Sequence, residues 1–337
     1  MAVFALNRHE TREPGVYPFN PRKHLRQVAD LVGAVFAAEL DAEGRNALQE
    51  VQAIGWLSPV FGGLLSSTFL GEFVGGYVWI EGGQVLGNVT LQRNDYSGTR
   101  WRISNVAVAP KHRGLGIGRS LMLAGLSEIA QQNGSWAILQ VRPDNPPARR
   151  LYESLGFSAV CQDGVWRLPA RPTEIPAPEV QLRRLPALAW RARLDLAQAA
   201  QTPLASWANP VAAEAYQTDP LQALGEMIGG WLGLYRVQRW GASSHGRLDG
   251  AVEIWASALG DAHRLRLLVR PEARGHLERA LVGQGLRALA TAPYAPVIAE
   301  HSGDHPEGIA ALEAAGFRAQ RMLLTMRRPI VPADALL

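Results

Sequence analysis

At 337 residues the chain is too long for one ordinary core and fits two domains, and a hydrophobic content of 47% lets each half bury its own. The net charge is +4, with Lys23 and Lys111 the only lysines and no arginine run longer than a pair, so the basic stripe that nucleic-acid binding needs is missing. No apolar run approaches the roughly 18 residues that span a bilayer. The N-terminal MAVFALNRHETREPG reads as a short tail without a signal-peptide core. Cys161 is the single cysteine, and no Cys/His group has metal-site spacing. The expectation is a cytoplasmic protein with no disulfide, no metal, no membrane contact and no nucleic-acid partner.

Apolar residues at helical spacing (Leu25, Val28, Leu31, Val32, Val35, Phe36) predict a helix over Arg22–Glu39, and a second short helix is expected over Asp41–Val51. Tyr77–Glu81 and Gln84–Gln92 read as strands joined by Gly82-Gly83, a hairpin signal. Arg100–Ala109 is a further strand, Gly116–Gln132 a long amphipathic helix and Trp136–Arg142 another strand. Asn145–Leu155 is a helix closed by Gly156, and Phe157–Leu168 holds one or two final strands. A proline-rich stretch, LPARPTEIPAPEV, then divides the chain as a semi-rigid linker. The expected division is 1–168, a linker at 169–179, and 180–337.

The segment Val106–Ser120, VAVAPKHRGLGIGRS, carries the first chemical signal. A strand runs into a turn with Gly114, Gly116 and Gly118 and then into a helix, and the free amides and dipole at such a helix start favour an anion, most simply a phosphate. Arg113 and Arg119 add positive charge. A P-loop would need Gly-Lys-Ser/Thr, and a dinucleotide fingerprint Gly-x-Gly-x-x-Gly; the spacing here is Gly-x-Gly-x-Gly. Taken alone, the turn could also merely cap a helix. The second signal is NPPARRLYESLGF, Asn145–Phe157.

Together these segments resemble the GNAT superfamily of N-acetyltransferases. Arg113-Gly-Leu-Gly116-Ile-Gly118 is similar to its pyrophosphate loop, and Asn145, Ala148, Leu151, Tyr152, Glu153, Gly156 and Phe157 to its following helix. Asn105-Val-Ala-Val108 is similar to the strand that pairs with the pantetheine arm. The resemblance covers about Val16 to Leu168 and implies an α/β fold with a mixed, mostly antiparallel central sheet flanked by helices. It also implies acetyl-CoA as cosubstrate. Backbone amides of Arg113, Gly114, Leu115, Gly116, Ile117 and Gly118, with the charge of Arg119, would hold the pyrophosphate. Val106 and Val108 would pair with pantetheine, and Asn145 would hydrogen-bond the cosubstrate. Tyr152 would protonate or hydrogen-bond the leaving thiolate. An ordinary tyrosine (pKa about 10) would transfer its proton to a thiolate (about 8.5) uphill by about 2 kcal/mol, so hydrogen bonding is the safer expectation.

An amine acceptor must be neutral to attack, and a lysine-like amine is only about one part in 2,500 neutral at pH 7. Ribosomal-protein acetyltransferases of this superfamily carry a glutamate base where this chain has Gln140, which argues against that substrate. Glu81, Glu39 and Asp41 are alternative bases. The acceptor is expected near Glu39–Glu43 and Trp56–Phe69, with Tyr96 and Trp101 as further candidates, though ordinary packing explains each. Cys161 reads as a small core residue, so direct attack without an acyl-enzyme is expected.

The second half repeats the first. Arg274-Gly275 matches Arg113-Gly114 at an offset of 161, Gly316-Phe317 matches Gly156-Phe157 at 160, and Gly250 matches Gly87 at 163. Leu277, Arg279 and Leu312 stand where the first half has Gly116, Gly118 and Tyr152, and Glu278 adds negative charge. The expectation is therefore two tandem GNAT-like domains, the second degenerate. The tandem arrangement resembles mycothiol synthase and its two-domain relatives. There the C-terminal half is the active one, so that substrate does not carry over. The expected acceptor is a small-molecule primary amine. A peptide or antibiotic amine is the alternative within the enzyme class, and a non-catalytic acyl-CoA-binding or regulatory module the alternative outside it.

Overall fold

The computed structural model describes residues 13–36, 73–95, 97–170, 179–231, 235–257, 262–331 and 334. The expected helix over Asp41–Val51, Glu39–Glu43, Trp56–Phe69, Tyr96 and most of the proline-rich stretch lie outside these residues. The chain forms two compact units that interleave in sequence. The first comprises Met1–Gln140, Arg150–Ser158 and Arg327–Leu337, and the second Val141–Arg149 and Ala159–Met326. Both are mixed, mostly antiparallel sheets flanked by helices.

In the first unit the strands β1 (Gly15–Pro18), β2 (Phe73–Glu81), β3 (Gln84–Arg93), β4 (Arg100–Val108) and β5 (Trp136–Val141) lie side by side in that order. The first four are antiparallel, and β4–β5 is parallel. The β2–β3 turn has positive φ at both glycines, 57° at Gly82 and 77° at Gly83, which the right-handed twist of a two-residue hairpin loop demands. Helix α1 (Pro21–Phe36) starts where Pro21 fixes φ, and the Asn20 side chain accepts from the Arg22 N–H at 3.0 Å. Its apolar stripe covers Val78, Ile80, Val85 and Ala107 on one face of the sheet. Helix α2 (Ile117–Gln131) covers the other face. It packs so closely that a β-carbon on Gly87 would come within 2.9 Å of Leu121 and Ile117. Helix α3 (Pro146–Ser154) follows β5.

The second unit repeats this order. Strands β8 (Tyr235–Ser244), β9 (Arg247–Ser257) and β10 (His263–Val269) are antiparallel, with β7 (Arg183–Arg184) at the edge; β11 (Val297–Ser302) is parallel to β10. Helix α7 (Glu278–Ala288) and helix α8 (Pro306–Ala314) correspond to α2 and α3. Helices α4 (Trp190–Ala200), α5 (Pro203–Ala208) and α6 (Pro220–Trp231) precede β8. The strand that ends the first repeat, β6 (Ser158–Leu168), pairs antiparallel with β11, register Val297↔Leu168 to Ser302↔Asp163, and buries Trp166 and Leu168 in the second core. The last strand, β12 (Arg318–Pro329), lies beside β6. From Arg327 onward the chain belongs to the first unit, where Ile330 N–H donates to the Ser135 carbonyl at 2.9 Å and Arg327 stacks over Trp136.

Candidate active site

The site begins where β4 and β5 part. Their parallel register runs from Arg100↔Trp136 to Ile103↔Leu139 and stops there. Beyond it, Ala109 N–H donates to the Leu86 carbonyl at 2.8 Å. In the alternation of an antiparallel ladder, this turns the polar groups of Val106 and Val108 away from β3 and toward the gap beside β5. The Val108 carbonyl accepts the Arg113 Nε–H at 3.2 Å. An exposed strand edge of this kind is where an extended, amide-bearing ligand can add hydrogen bonds.

A short turn of 3₁₀ helix, Pro110–His112, leads from β4 to the glycines. Gly114 and Gly116 have φ of 80° and 83°, and a β-carbon on either would meet nothing within 4 Å. Backbone conformation, not crowding, requires glycine there. Gly116 caps α2 without any side-chain hydrogen bond, and the first helical bond is Ser120 N–H to the Gly116 carbonyl at 3.0 Å. The amides of Ile117, Gly118 and Arg119 have no partner among the described residues, and the first turn of α2 holds no acidic residue. Ile117 sends its side chain into the core while its amide stays free. Arg119 is exposed and donates to Ser154 Oγ at 3.1 Å. Three free amides, a helix dipole and two arginines make an anion cradle.

Tyr152 lies on α3, one residue from Leu151, which reaches within 3.5 Å of where a Gly118 β-carbon would sit. The Gly156 turn holds this end of α3: φ is 85°, and Phe157 N–H returns to the Tyr152 carbonyl at 3.0 Å. Tyr152 is only 6% exposed, packs edge-on against Phe157, and its hydroxyl has no partner among the described residues. Burial pushes its pKa up to about 12.

Residues 51–157 match the Acetyltransferase (GNAT) family. The chain superposes on a GCN5-related N-acetyltransferase from Sphaerobacter thermophilus, with TM-score 0.60, 17% identity, and 94% of this chain and 96% of that one covered. It also superposes on a tandem GNAT protein from the clavulanic acid biosynthesis pathway, with TM-score 0.55, 19% identity, and 95% and 99% covered. The chain has a tandem GNAT fold. Curated relatives include the mycothiol acetyltransferase of Thermobispora bispora, 32% identical over 123 residues, and that of Nocardiopsis dassonvillei, 44% identical over 75. The match covers 37% of the first relative's length and 22% of the second's, and 36% and 22% of this chain.

The remaining sequence candidates fall out unevenly. Asn145 is exposed, grouped with the second unit, and caps α3: its Oδ1 accepts the Ala148 N–H at 3.2 Å. Gln140 is exposed on β5, and Glu81 is exposed at the β2–β3 turn, paired with Gln84 across the hairpin. Trp101 is 0% exposed and donates Nε1–H to the Gly98 carbonyl, so it is core, not an acceptor-site wall. Cys161 is buried in the second unit, and burial together with the Asp163 carboxylate pushes its thiol up to about 11, which makes a poor nucleophile. Among the described residues no group of three or more His, Cys, Asp or Glu could hold a metal, and no helix is long and apolar enough to cross a membrane. Sequence reasoning missed a buried polar cluster, Asn88 and Thr90 on β3 beneath Asn105. Two polar residues in the otherwise apolar VLGNVTL, Val85–Leu91, were its only trace.

The counterpart turn in the second unit keeps the backbone as far as Gly275 and changes the chemistry. A 3₁₀ turn at Pro271–Ala273 and Gly275 at φ 82° reproduce their equivalents. Leu277, in place of Gly116, has φ −109°. The buried Glu278 carboxylate accepts the Leu277 N–H at 3.2 Å and lies 2.8 Å from His305 Nε2, the residue equivalent to Asn145. Burial works against its charge, but the hydrogen bond from His305 and those from backbone amides outweigh it and hold the carboxyl below the usual range. Leu312, fully buried, replaces Tyr152.

Proposed function

We propose that this chain is an acetyl-CoA-dependent N-acetyltransferase whose working half is the first repeat and whose acceptor is a primary amine of a small molecule. The observation that carries the reading is the glycine turn with three unpartnered amides at the start of α2, set beside the free edge of β4. The amides of Arg113 to Gly118 would hold the pyrophosphate, with Arg113 released from the Val108 carbonyl to join them. Val106 and Val108 would pair with the pantetheine arm. Asn145 can donate from its Nδ2 while its Oδ1 caps the helix. The thioester supplies an activated acetyl group.

In the reaction the neutral amine attacks the thioester carbonyl carbon. The C–N bond forms, the C–S bond breaks, and the proton lost by nitrogen ends on sulfur. Tyr152, neutral across the physiological range, offers its O–H to the developing thiolate. With a phenol pKa of about 12 against about 8.5 for a thiol, complete transfer from Tyr152 would be uphill by about 5 kcal/mol, so it stabilises the thiolate by hydrogen bonding and solvent completes the protonation. Glu81 stands at the β2–β3 turn, and the amine is expected to arrive neutral or to lose its proton through water.

The second repeat, with its anion cradle filled by Glu278, is proposed to have kept the fold and lost acetyl-CoA binding. The similarity to mycothiol acetyltransferases supports a small-molecule acceptor over a peptide, and a single reduced cysteine fits the cytoplasm. A non-catalytic acyl-CoA-binding module is the second reading; a largely buried tyrosine whose hydroxyl has no protein partner among the described residues favours the enzyme. Calorimetric titration with acetyl-CoA tests the proposal. One site per chain, lost in Gly116→Leu, is expected. Two sites would overturn the reading of the second repeat, and none would overturn the whole.

A further inference from the structure

Resting on the acetyltransferase reading above, we infer that Asn105 is the residue that receives the acceptor amine, with Asn88 and Thr90 as the positioning residues that hold it. Between Asn88↔Ala107 and Thr90↔Ser104 the β3–β4 register gains one residue on β4, a bulge. Asn105 sits in it at φ 50°, a left-handed conformation that costs most residues about 1 kcal/mol and that, glycine aside, asparagine tolerates well. Bulges of this kind re-aim a side chain, and here something holds the aim. The Asn88 amide donates to the Asn105 carbonyl at 3.0 Å and to Thr90 Oγ1 at 3.3 Å, and the Asn105 amide donates to Thr90 Oγ1 at 3.4 Å.

Asn88 and Thr90 are 2% and 7% exposed. Burying an amide and a hydroxyl inside a strand is costly unless they are paired, and a purely structural strand would use valine there. Asn105 itself is exposed, and its Oδ1 has no partner among the described residues. The buried pair therefore presents one free acceptor oxygen to the outside. That oxygen belongs to the residue immediately before Val106, two residues past Ile103, where the β4–β5 register ends. Gly87, Val89 and Leu91 pack toward α2, so Asn88 and Thr90 lie on the α1 face. The amine would thus arrive from the face opposite the helix whose N-terminus holds the pyrophosphate.

The chemistry suits an amine. An amide oxygen accepts an N–H hydrogen bond and leaves the nitrogen lone pair free to attack. A carboxylate at this place would favour the ammonium form and raise its pKa, deepening the deficit of neutral amine. Asparagine binds the amine without that penalty.

The test uses the full chain with acetyl-CoA and n-propylamine as acceptor probe, following thiol release against pH, alongside calorimetric binding of acetyl-CoA. Asn105→Gly keeps the left-handed backbone and removes the oxygen. It is expected to bind acetyl-CoA within about twofold of wild type and to lose roughly tenfold or more in kcat/KM for the amine, mostly in KM. Asn105→Asp keeps an acceptor oxygen but adds charge. It is expected to hold KM near wild type and to move the rising limb of the pH profile to higher pH by about one unit. Asn88→Val should reproduce the Asn105→Gly loss in milder form. Unchanged amine kinetics in Asn105→Gly, or thiol release in wild type that does not depend on the amine, would overturn the inference while leaving cosubstrate binding intact. Absence of acetyl-CoA binding in wild type would instead remove the underlying reading.

Discussion

The two glycine turns of this chain begin with the same backbone and differ in how they end and in what fills them. In the first, Gly114 and Gly116 leave the start of α2 open, and three amides await an anion. In the second, Gly275 keeps the same left-handed turn, but Leu277 abandons the conformation of Gly116 and Glu278 folds its own carboxylate onto the amides, braced by His305. A helix N-terminus needs a negative partner in either case. One repeat leaves that partner to be supplied by a ligand; the other supplies it from its own sequence. A carboxylate from the chain can thus satisfy a helix start that would otherwise favour a bound anion.

The largest effect that would sharpen this contrast comes from importing the second repeat's residue into the first. Gly116→Leu puts a side chain on a residue at φ 83° and into the open cradle. Acetyl-CoA affinity is expected to fall upward of roughly 100-fold by calorimetry. The urea midpoint should drop only by the strain of one left-handed residue, about 1–2 kcal/mol. Retained affinity would show that the cradle does not hold the pyrophosphate.

The filled site should in turn be sensitive to acid. His301 on β11 lies against His305, with ring centroids 4.8 Å apart, and edge-on to Trp166. Burial, reinforced by the positive charge of His305, lowers its pKa from 6.5 to about 4. A histidine depressed in the folded state is held neutral there, so its contribution is whole above pH 6.5 and is lost as pH falls from 6.5 toward 4. The span corresponds to roughly 3 kcal/mol. Glu278, whose folded pKa is also depressed, loses its contribution only at more acid pH, as pH falls below the ordinary carboxylate range. Urea unfolding followed between pH 7 and 4.5 should show wild type weakening and His301→Leu nearly flat. Parallel pH dependence in the two proteins would mean that His301 is not held neutral.

The sequence exposed those features whose backbone demands a particular residue type. Gly82-Gly83, Gly114, Gly116 and Gly156 all occupy positive φ, and each marks a turn that could be placed from the sequence. Of the three nearly equal offsets that announced the repeat, those at Gly275 and Gly316 did so for the same reason. What stayed hidden depends on partners distant in sequence. SAVCQDGVWRL reads as a strand whichever sheet it joins, and nothing local records that β6 pairs with β11. Trp101 offered only its residue type, and its full burial belongs to the fold. Asn88 and Thr90 gain meaning only when a bulge seventeen residues later brings the Asn105 carbonyl to Asn88.

A smaller effect is expected at Tyr152, where the second repeat has Leu312. Tyr152→Phe removes a hydroxyl without a protein partner, so stability and acetyl-CoA affinity should hardly change. Transfer should slow by about tenfold, the worth of one hydrogen bond to a developing thiolate. With a phenol pKa of about 12, the wild-type rate should show no falling limb attributable to this residue below about pH 11. An unchanged rate of thiol release would remove Tyr152 from the mechanism.

The finest distinction between an open and a filled site lies at Gly118. Its φ is not left-handed, and an added β-carbon would meet Leu151 at 3.5 Å and Val108 at 3.7 Å, ordinary contacts that the protein accommodates. Inside a helix, glycine costs up to about 1 kcal/mol relative to alanine. By the protein's own interest alone, alanine would be better here. Gly118→Ala is therefore expected to raise the thermal midpoint slightly while lowering acetyl-CoA affinity a few-fold, because the methyl group stands where the ligand must approach the backbone. The second repeat carries Arg279 at the equivalent position. If Gly118→Ala gains stability and keeps full affinity, the glycine serves neither fold nor ligand, and the cradle is narrower than the amides of Arg113 to Gly118.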